Sequence, residues 1–472
     1  MGPAGVAITR LRTMTTLDLS RVHAEASAPH RLAVVIREIA RRSPSETAIV
    51  AAAGGPDHRR IDYASLAAMV DRIEQAVAAA RPVGVVVRAK QVESLVAVAA
   101  ACGAAGVPVA LLADDARDLS GELRDWVVVD DSLAVRSSGP SRPSGYDEGP
   151  PHVVVATSGT SGPPKLVQRT WDAVLASARL AEQWHGLGWL LVYDATRWAG
   201  IQVWAQSLLT GGRLVVPAVR DPDTVARAIV DEQVAILPAT PTLLRRLLTS
   251  ADRSLLSQAS LGRITLGGEA ADGPLLEQAK AAFPGAKISH VYATTELGEV
   301  FRVTDGRPGF PASWLGREMP GGIRLSTRRD GELLVQLSRD STDVATGDLV
   351  ELRGDRYEFT GRRSDVIVVG GAKVLPRRVE DLLRSVSGIA EARVYGQPSA
   401  ITGELVAAEI VLVDPLPAVA TPESVRAAAL AACRGGLEPH GVPRILDIVS
   451  RIKTTSAGKT SRRPVAVTTS PP

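Results

Sequence analysis

A short loop rich in glycine and small hydroxyl residues carries the strongest chemical signal in this sequence. Residues 157–165 read TSGTSGPPK and directly follow the apolar segment His152–Ala156, which predicts a strand. The backbone N–H groups of such a loop can surround anionic oxygens, and its hydroxyl and ammonium groups add further donors. The segment therefore predicts a phosphate-binding loop, with an ordinary Ser/Gly surface loop as the alternative.

Two other glycine-containing loop types do not fit the sequence. A P-loop, G-x-x-x-x-G-K-[ST], fails at Gly458-Lys459-Thr460 because Lys453 stands where its first glycine should be. A hydrolase elbow, G-x-S-x-G, fails because Pro163 occupies its last glycine position. Neither a P-loop NTPase nor a hydrolase of that type is predicted.

Four further segments follow in order along the chain. They are Tyr292-Ala293-Thr294-Thr295-Glu296, Thr346-Gly347-Asp348, Gly361-Arg362-Arg363-Ser364-Asp365 and Ser456-Ala457-Gly458-Lys459. Three have ordinary explanations when taken alone: a solvated Glu after a strand, a turn at T-G-D, and an exposed Lys in a polar tail. Together with the loop, the four segments resemble the core motifs of the adenylate-forming superfamily. That superfamily includes acyl-CoA synthetases, non-ribosomal adenylation domains and luciferases, and the pattern is most similar to stand-alone acyl-CoA synthetases.

The resemblance implies a role for each motif in binding ATP. The loop would bind the β- and γ-phosphates, Tyr292 would pack on adenine, Thr295 would meet the α-phosphate and Glu296 would hold Mg²⁺. Asp348 would accept hydrogen bonds from both ribose hydroxyls, and Arg362 would contact the nucleotide. The loop residues concerned are Ser158, Gly159, Thr160, Ser161, Gly162 and Lys165.

The same resemblance implies that two half-reactions use different residues. Lys459 would bond both the carboxylate and the α-phosphate, and so stabilise charge as the phosphoryl centre is attacked. A small domain would pivot near Ser364, and Gly371 would line a tunnel for a pantetheine arm. Two positions depart from the family's pattern: Ser364 stands where Asp or Lys is common, and Lys453 stands where a proline is common.

A second group of residues predicts the acid-binding pocket. Arg197, Trp198, Gly267 and Gly268 resemble the stretches that line the acyl pocket of acyl-CoA ligases, although a His is common at the place of Arg197. A guanidinium there would select an acid with a second acidic or strongly polar group, unless Arg197 faces solvent or pairs with Asp194. Residues 193–196 (YDAT) look like the F-D-x-S of amino-acid-activating domains, but their spacing makes amino acids the second choice.

The segments around these motifs predict an α/β protein with two domains. The chain has 472 residues, of which 45% are hydrophobic and 22% charged, which suits one large and one smaller globular domain. Short β-rich runs, Leu190–Tyr193 among them, alternate with amphipathic stretches and predict parallel-rich sheets with flanking helices. A β-rich subdomain and a small α+β unit follow. We expect a large adenylation domain at residues 1–362 and a small mobile domain, which carries Lys459, at residues 363–472.

Composition argues against several other classes of protein. The formal net charge is +3 with arginines spread along the chain, so nucleic-acid binding is not predicted. Cys102 and Cys433 are the only cysteines, and their spacing predicts neither zinc nor a disulfide framework. No apolar run reaches the roughly 18 residues of a membrane helix and no signal pattern is present, so a cytoplasmic protein is expected.

The leading functional hypothesis is an AMP-forming ligase. It would use ATP and Mg²⁺ to convert a small carboxylic acid into an acyl-AMP with release of pyrophosphate, and then pass the acyl group to a thiol. No carrier domain follows Lys459, so we expect the thiol of CoA or of a separate phosphopantetheinyl carrier protein. Adenylation for a non-thiol nucleophile such as an amine is the alternative. A non-catalytic nucleotide-binding relative is disfavoured because the motif residues are present.

Overall fold

The computed structural model describes residues 26–113, 123–135, 151–157, 165–178, 182–250 and 252–453. The contacts between Cα atoms divide the chain into two units. The first is drawn from Met1–Pro241, Ala251–Gly268 and Glu277–Asp305, and the second from Thr242–Ser250, Glu269–Leu276 and Gly306–Pro472. The expected domain boundary between residues 362 and 363 stays a prediction.

The first unit contains two sheets with helices packed on them. Its strands are β1 (Thr47–Ala53), β2 (Arg59–Asp62), β3 (Val85–Val87), β4 (Val109–Leu111), β5 (Val127–Val129), β6 (His152–Thr157), β7 (Lys165–Thr170), β8 (Gly188–Leu190), β9 (Arg213–Pro217), β10 (Val234–Ala239), β11 (Arg263–Gly267), β12 (Lys287–Thr294) and β13 (Gly298–Val303). Its helices are α1 (Ala28–Arg42), α2 (Tyr63–Ala80), α3 (Val92–Ala104), α4 (Trp171–Leu175), α5 (Trp198–Leu209) and α6 (Pro222–Asp231). Helices α7 (Pro241–Ser250), α8 (Arg253–Leu256) and α9 (Gly273–Ala282) follow, and the division between the units falls within α7 and α9.

Both sheets of the first unit are mainly parallel. One has the strand order β5-β3-β4-β6-β7, with an antiparallel pair at β6–β7. The other has the order β13-β12-β11-β10-β8-β9-β1-β2, with antiparallel pairs at its two edges. Helix α3 is buried along most of its length because its sequence, VESLVAVAAACGA, is apolar on nearly every side. The predicted α/β class with parallel-rich sheets is confirmed.

The second unit contains two largely antiparallel sheets that follow each other along the chain. Its strands are β14 (Phe310–Pro311), β15 (Arg324–Thr327), β16 (Glu332–Gln336), β17 (Val344–Arg353), β18 (Arg356–Arg362), β19 (Ile367–Val369), β20 (Ala372–Val374), β21 (Ile389–Ser399), β22 (Gly403–Leu412) and β23 (Ile445–Ile448). In the sequence, the strands of the later sheet are interrupted by helices α10 (Pro376–Arg384) and α11 (Pro422–Gly436). The order β14-β18-β17-β16-β15 forms one sheet, and β20-β19-β22-β21 with β23 beside β22 forms the other. The predicted β-rich subdomain and terminal α+β unit are both present.

Side-chain caps fix where helices begin in both units. Asp221 accepts a hydrogen bond from the Thr224 N–H at the start of α6. Thr421 and Ser424 form a reciprocal capping box at the start of α11. Across the ranges that the structure describes, no helix has both the length and the apolar character that a bilayer crossing requires.

Candidate active site

The predicted phosphate loop starts and ends in an antiparallel strand pair. β6 ends at Thr157 and β7 begins at Lys165, and these two residues are register partners. The Thr157 hydroxyl also donates to the Lys165 carbonyl at 3.3 Å. The pairing therefore fixes both ends of the predicted loop, and Lys165 is exposed. Ser158, Gly159, Thr160, Ser161 and Gly162 lie outside the described residues.

The carboxyl ends of parallel strands in the larger sheet supply the predicted pocket glycines. β11 ends at Gly267, next to β12. Tyr193 follows the end of β8 and donates its hydroxyl to the Gly267 carbonyl at 3.4 Å. Gly268 has a φ of +84°, a left-handed conformation that a residue with a side chain adopts only with strain. Gly267 and Gly268 thus lie at the sheet edge where open α/β sheets bind ligands.

The Y-x-x-T-E segment spans the end of β12 and the turn into β13. The Thr294 hydroxyl accepts a hydrogen bond from the Leu297 N–H at 3.0 Å. Gly298, with a φ of +76°, completes the turn and begins β13. Within this turn Thr295 is half-buried and Glu296 is exposed. The structure therefore presents the predicted Mg²⁺ ligand to solvent on a turn that the Thr294 side chain holds.

Tyr292 lies on β12 just before this turn. It is the register partner of Phe301 on β13, and the two rings stack with centroids 5.1 Å apart at an interplanar angle of 22°. Aromatic stacking of this kind fixes the orientation of the Tyr292 ring. The role of Tyr292 in packing on adenine stays a prediction.

The exposed carboxylate of Glu296 suits Mg²⁺ that is shared with phosphate oxygens. In the part of the chain that the structure describes, no group of three or more His, Cys, Asp or Glu could hold a metal ion by itself. Mg²⁺ at nucleotide sites is usually held by one or two carboxylates plus substrate phosphates, and it keeps several waters. A single accessible Glu on this turn fits this chemistry.

Sequence reasoning missed Arg169. This residue links β7, the strand after the predicted phosphate loop, to the turn that contains Thr295 and Glu296. Arg169 lies on β7 and donates from Nη1 to the backbone carbonyl of Glu296. Its guanidinium carbon is 5.3 Å from the centroid of the Trp198 ring at the start of α5, a cation–π distance. One residue therefore contacts the predicted Mg²⁺-binding turn and the predicted acid pocket.

The charge of Arg169 is only partly compensated by its surroundings. Burial lowers the pKa of the Arg169 guanidinium, and the negative charge of Glu296 opposes that effect. Its Nε is buried and has no hydrogen-bond partner among the described residues. One feature of the sequence could have indicated this residue. Arg169 and Lys165 are four positions apart on one strand, so their side chains share a face of the sheet.

Arg197 points to β6, the strand that precedes the predicted phosphate loop. The side chain is 7% exposed, so the solvent-facing alternative is wrong. Its Nη1 donates to the Ala156 carbonyl, near the end of β6, at 2.7 Å. The carboxylate of Asp194 accepts hydrogen bonds from the N–H and hydroxyl of Thr196 at 2.9 and 2.7 Å. This bond from the Arg197 guanidinium supports the end of β6, and the substrate-reading role of Arg197 stays a prediction.

In the second unit, the structure brings the two predicted nucleotide residues Asp348 and Arg362 together. They are register partners on β17 and β18, and Arg362 Nε lies 2.8 Å from Asp348 Oδ1. Asp348 is 8% exposed, and its N–H donates to the Thr346 hydroxyl at 3.1 Å. Gly347 donates its N–H to Glu332 Oε1 at 3.1 Å, which fixes the T-G-D turn. An oriented carboxylate beside a guanidinium is suited to bind a diol.

The remaining predicted residues lie in later turns of the chain. Ser364 is exposed in a short helical turn between β18 and β19, and its hydroxyl donates to Asp365 Oδ1 at 3.0 Å. Gly371 lies at the tip of the β19–β20 hairpin with a φ of +88°. Lys459 lies outside the described residues, which end at Lys453. The hinge, tunnel and catalytic roles of these residues stay predictions.

Comparisons of the sequence with protein families match both parts of the chain. A family model described as AMP-binding enzyme matches residues 70–325, and one described as AMP-binding enzyme C-terminal domain matches residues 378–459. The 2-succinylbenzoate–CoA ligase of Bacillus licheniformis is 27% identical over 345 residues, which are 66% of this chain and 68% of that protein. The first three curated relatives are matched over 61% to 68% of their own length.

Solved structures share the fold over most of the chain. The anthranilate CoA ligase AuaEII with anthranoyl-AMP has a TM-score of 0.70 at 18% identity, covering 91% of this chain and 95% of that one. An o-succinylbenzoate CoA synthetase from Bacillus subtilis with ATP and magnesium scores 0.62 at 21% identity, covering 91% and 98%. The amide bond synthetase McbA from Marinactinospora thermotolerans scores 0.66 at 22% identity, covering 91% and 98%. With its motifs, fold and matched family models in agreement, this chain belongs to the AMP-binding enzymes of the adenylate-forming superfamily.

Proposed function

We propose that this protein is an AMP-forming ligase that activates a small carboxylic acid and passes it to a thiol. A carboxylate oxygen of the acid would attack the α-phosphorus of ATP, so that pyrophosphate leaves and an acyl-AMP forms. The thiol sulfur of CoA, or of a carrier protein's phosphopantetheine, would then attack the acyl carbon and AMP would leave. Membership of the family and similarity to CoA ligases support this assignment, and we expect the reaction in the cytoplasm.

One contact carries the proposal. Arg169 joins β7, the strand that leaves the predicted phosphate loop, to the backbone carbonyl of Glu296 in the T-E turn. The two residues are 127 positions apart in the sequence, so the fold and not the local chain makes them neighbours. The strand that follows the predicted phosphate loop and the turn that carries the predicted Mg²⁺ ligand are therefore neighbours in the first unit.

The residues of the first unit would divide the binding of the phosphates between them. Backbone and side-chain donors of the loop, with Lys165, would hold the β- and γ-phosphates, and Thr295 would donate to the α-phosphate. Glu296 would hold Mg²⁺, which neutralises phosphate charge when it is bound. In the second unit, Asp348 would accept hydrogen bonds from the ribose hydroxyls, with Arg362 fixing the orientation of its carboxylate.

Transfer to an amine is the second candidate function. The same adenylation step would come first, and an amine nitrogen would then attack the acyl carbon to give an amide and AMP. The similarity in fold to the amide bond synthetase McbA is the observation that favours it. The residues of the ATP site do not distinguish a thiol from an amine, because both nucleophiles act after acyl-AMP has formed.

Two assays test the proposal in sequence. ATP–pyrophosphate exchange over a panel of aliphatic, aromatic and dicarboxylic acids should reveal which acids support adenylation. The supporting acids are then incubated with ATP and, separately, CoA, a phosphopantetheinylated carrier and an amine, with products identified by mass spectrometry. A thioester product supports the ligase, an amide alone supports the second function, and no exchange with any acid contradicts both.

A further inference from the structure

The T-G-D segment forms a bulge in the antiparallel pair of β16 and β17. Glu332 on β16 is the register partner of Leu349 on β17. Leu334, two positions further on, is the partner of Ala345, so one residue of β16 faces residues 346–348 of β17. A bulge of this kind changes the direction in which the strand presents its side chains. Because the bulged residues leave the regular ladder, their N–H groups need acceptors from elsewhere.

Two side chains supply acceptors for the bulge. Glu332 Oε1 accepts from the Gly347 N–H at 3.1 Å, and the Thr346 hydroxyl accepts from the Asp348 N–H at 3.1 Å. Gly347 has a φ of +75°, a left-handed conformation that glycine adopts without strain. Thr346 belongs to the bulge itself, whereas Glu332 belongs to the neighbouring strand. Glu332 therefore fixes the position of the bulge relative to the rest of the sheet.

The other carboxylate oxygen of Glu332 binds two arginines. Its Oε2 accepts from Arg328 Nη1 at 2.9 Å and from Arg363 Nη2 at 3.0 Å. Glu332 is 3% exposed, whereas the side chains of the two arginines are 54% and 48% exposed. A buried carboxylate is costly unless it is paired, and here both arginines pair with the same oxygen. This arrangement directs Oε1 to the Gly347 N–H.

We propose that Glu332 is a positioning residue for the ribose of the nucleotide. It holds the bulge from β16, and Arg362 on β18 contacts Asp348 Oδ1 at 2.8 Å, so both neighbours of β17 orient the Asp348 carboxylate. This inference rests on the proposed function, in which Asp348 accepts hydrogen bonds from both ribose hydroxyls. Glu332 acts on the nucleotide only through the Gly347 N–H and Asp348.

The test compares nucleotides that differ only in the ribose hydroxyls. Calorimetry of the full chain with Mg²⁺ gives the Kd of ATP and of 2′,3′-dideoxy-ATP, which lacks both hydroxyls. Glu332→Met removes the acceptor, whereas Glu332→Gln keeps an amide oxygen for the Gly347 N–H. We expect Glu332→Met to weaken ATP binding roughly 10-fold, the usual effect of losing a hydrogen bond to a charged group. Its Kd for the dideoxy nucleotide should match that of the wild type, and Glu332→Gln should keep most of the preference for ATP.

Two further variants separate positioning from a general loss of stability. Asp330→Asn is the matched control, because exposed Asp330 pairs with the same Arg363 but its loss leaves the Gly347 acceptor in place. We expect it to keep the wild-type preference for ATP. Thr346→Val removes the acceptor of the Asp348 N–H and should lower the preference, which gives a second test if Glu332→Met does not fold.

The ratio of the two Kd values decides the outcome. A wild-type ratio in Glu332→Met and Thr346→Val, or an equal loss in Glu332→Met and Glu332→Gln, would overturn the positioning role. Equal affinity of the wild-type protein for the two nucleotides would overturn it as well. A wild-type protein that prefers ATP but forms no acyl-AMP with any acid would instead refute the proposed function and leave the role of Glu332 in place.

Discussion

Two turns that join neighbouring antiparallel strands differ sharply in how the protein supports them. The β12–β13 turn, with Thr295 and Glu296, is held by the Thr294 hydroxyl and by Arg169, whose guanidinium bonds the Glu296 carbonyl. At the β19–β20 turn, a Cβ built on Gly370 or Gly371 meets no atom within 4 Å. The first turn is supported by side chains, and the second is exposed.

The difference matches the functions predicted for these turns, which are to place phosphate-binding groups and to line the path of the pantetheine arm. A turn that must place a carboxylate and a hydroxyl against phosphates benefits from fixed side chains, because displaced donors stabilise charge poorly. A turn that lines a path for a long, flexible arm needs only an accessible backbone with no side chain in the way. Supported and open turns should therefore respond differently when each half-reaction is measured alone.

The largest effect is expected for Glu296→Gln. Loss of the carboxylate removes the predicted Mg²⁺ ligand, and charge neutralisation by a metal is worth several kcal/mol, so pyrophosphate release should fall by orders of magnitude. The fold should be intact by circular dichroism, because Glu296 is exposed. Glu299→Gln is the control, since Glu299 pairs with Arg302 on β13. If Glu296→Gln had wild-type activity at saturating Mg²⁺, Glu296 would not be a Mg²⁺ ligand of the site.

Lys459→Ala should affect only the first half-reaction. Removing one donor that stabilises transition-state charge typically lowers kcat roughly 10²- to 10³-fold, and we expect acyl-AMP formation to fall by that factor. Thioester formation from synthetic acyl-AMP should persist. Lys453→Ala, a nearby exposed lysine, is the control. Equal loss of both steps in a folded Lys459→Ala protein would contradict the assignment of Lys459 to the first half-reaction alone.

Gly371→Leu should show the opposite pattern and should make acyl-AMP but stall before the thioester. A leucine side chain in the path of the arm should slow transfer to the thiol roughly 5- to 150-fold, which corresponds to about 1–3 kcal/mol. Leucine also strains a backbone with a φ of +88°, so Gly370→Leu, at a φ of +56° in the same turn, controls for that strain. Thioester formation by Gly371→Leu at the rate of Gly370→Leu would show that Gly371 does not line the path.

Sequence reasoning predicted the elements better than their ends. The alternation of β-rich and amphipathic runs predicted the parallel-rich sheets, because strands buried on both faces must be apolar. The run Leu190–Tyr193 predicts a strand, but β8 spans Gly188–Leu190. Leu191, Val192 and Tyr193 are nonetheless buried, at 2%, 5% and 7% exposure. An apolar run therefore predicts burial, but it does not show where a strand ends and the buried loop after it begins.

The candidate site was predictable where it rests on local motifs and not where it rests on long-range contacts. Asp348 and Arg362 were identified from separate motifs, and strand pairing brings them to 2.8 Å. Arg169 and Arg246 have no comparable local signature, since their partners are 127 and 145 positions away. Only the packing of distant segments shows that one arginine supports a turn and that the other pairs with Glu391 on β21.

Arg197→Met tests whether this residue supports β6 or reads the substrate. The buried Ala156 carbonyl would lose a donor, which typically costs about 1–3 kcal/mol in the free energy of unfolding. We expect adenylation to fall by a similar factor for monocarboxylic and dicarboxylic acids, because the end of β6, which precedes the predicted phosphate loop, is disturbed for both. Urea unfolding and pyrophosphate exchange measure the two effects. A selective loss of roughly 2–5 kcal/mol for acids with a second anionic group would instead restore the substrate-reading role.

Arg169→Met should give the smallest effect and the most selective one. Methionine keeps an unbranched stem against Trp198 but removes the positive charge, which is half-buried and only partly compensated. Because water partly screens such a group, we expect acids with a second anionic group to lose about 1 kcal/mol, or roughly fivefold in kcat/KM. Neutral monocarboxylic acids should lose less, and the difference should shrink as ionic strength rises. Arg197→Met is the matched control, since it should lower both classes of acid alike. If Arg169→Met also lowers both classes alike at every salt concentration, then Arg169 acts only through its bond to the Glu296 carbonyl. The Arg169 guanidinium would then stabilise the β12–β13 turn and would have no role in binding the acid.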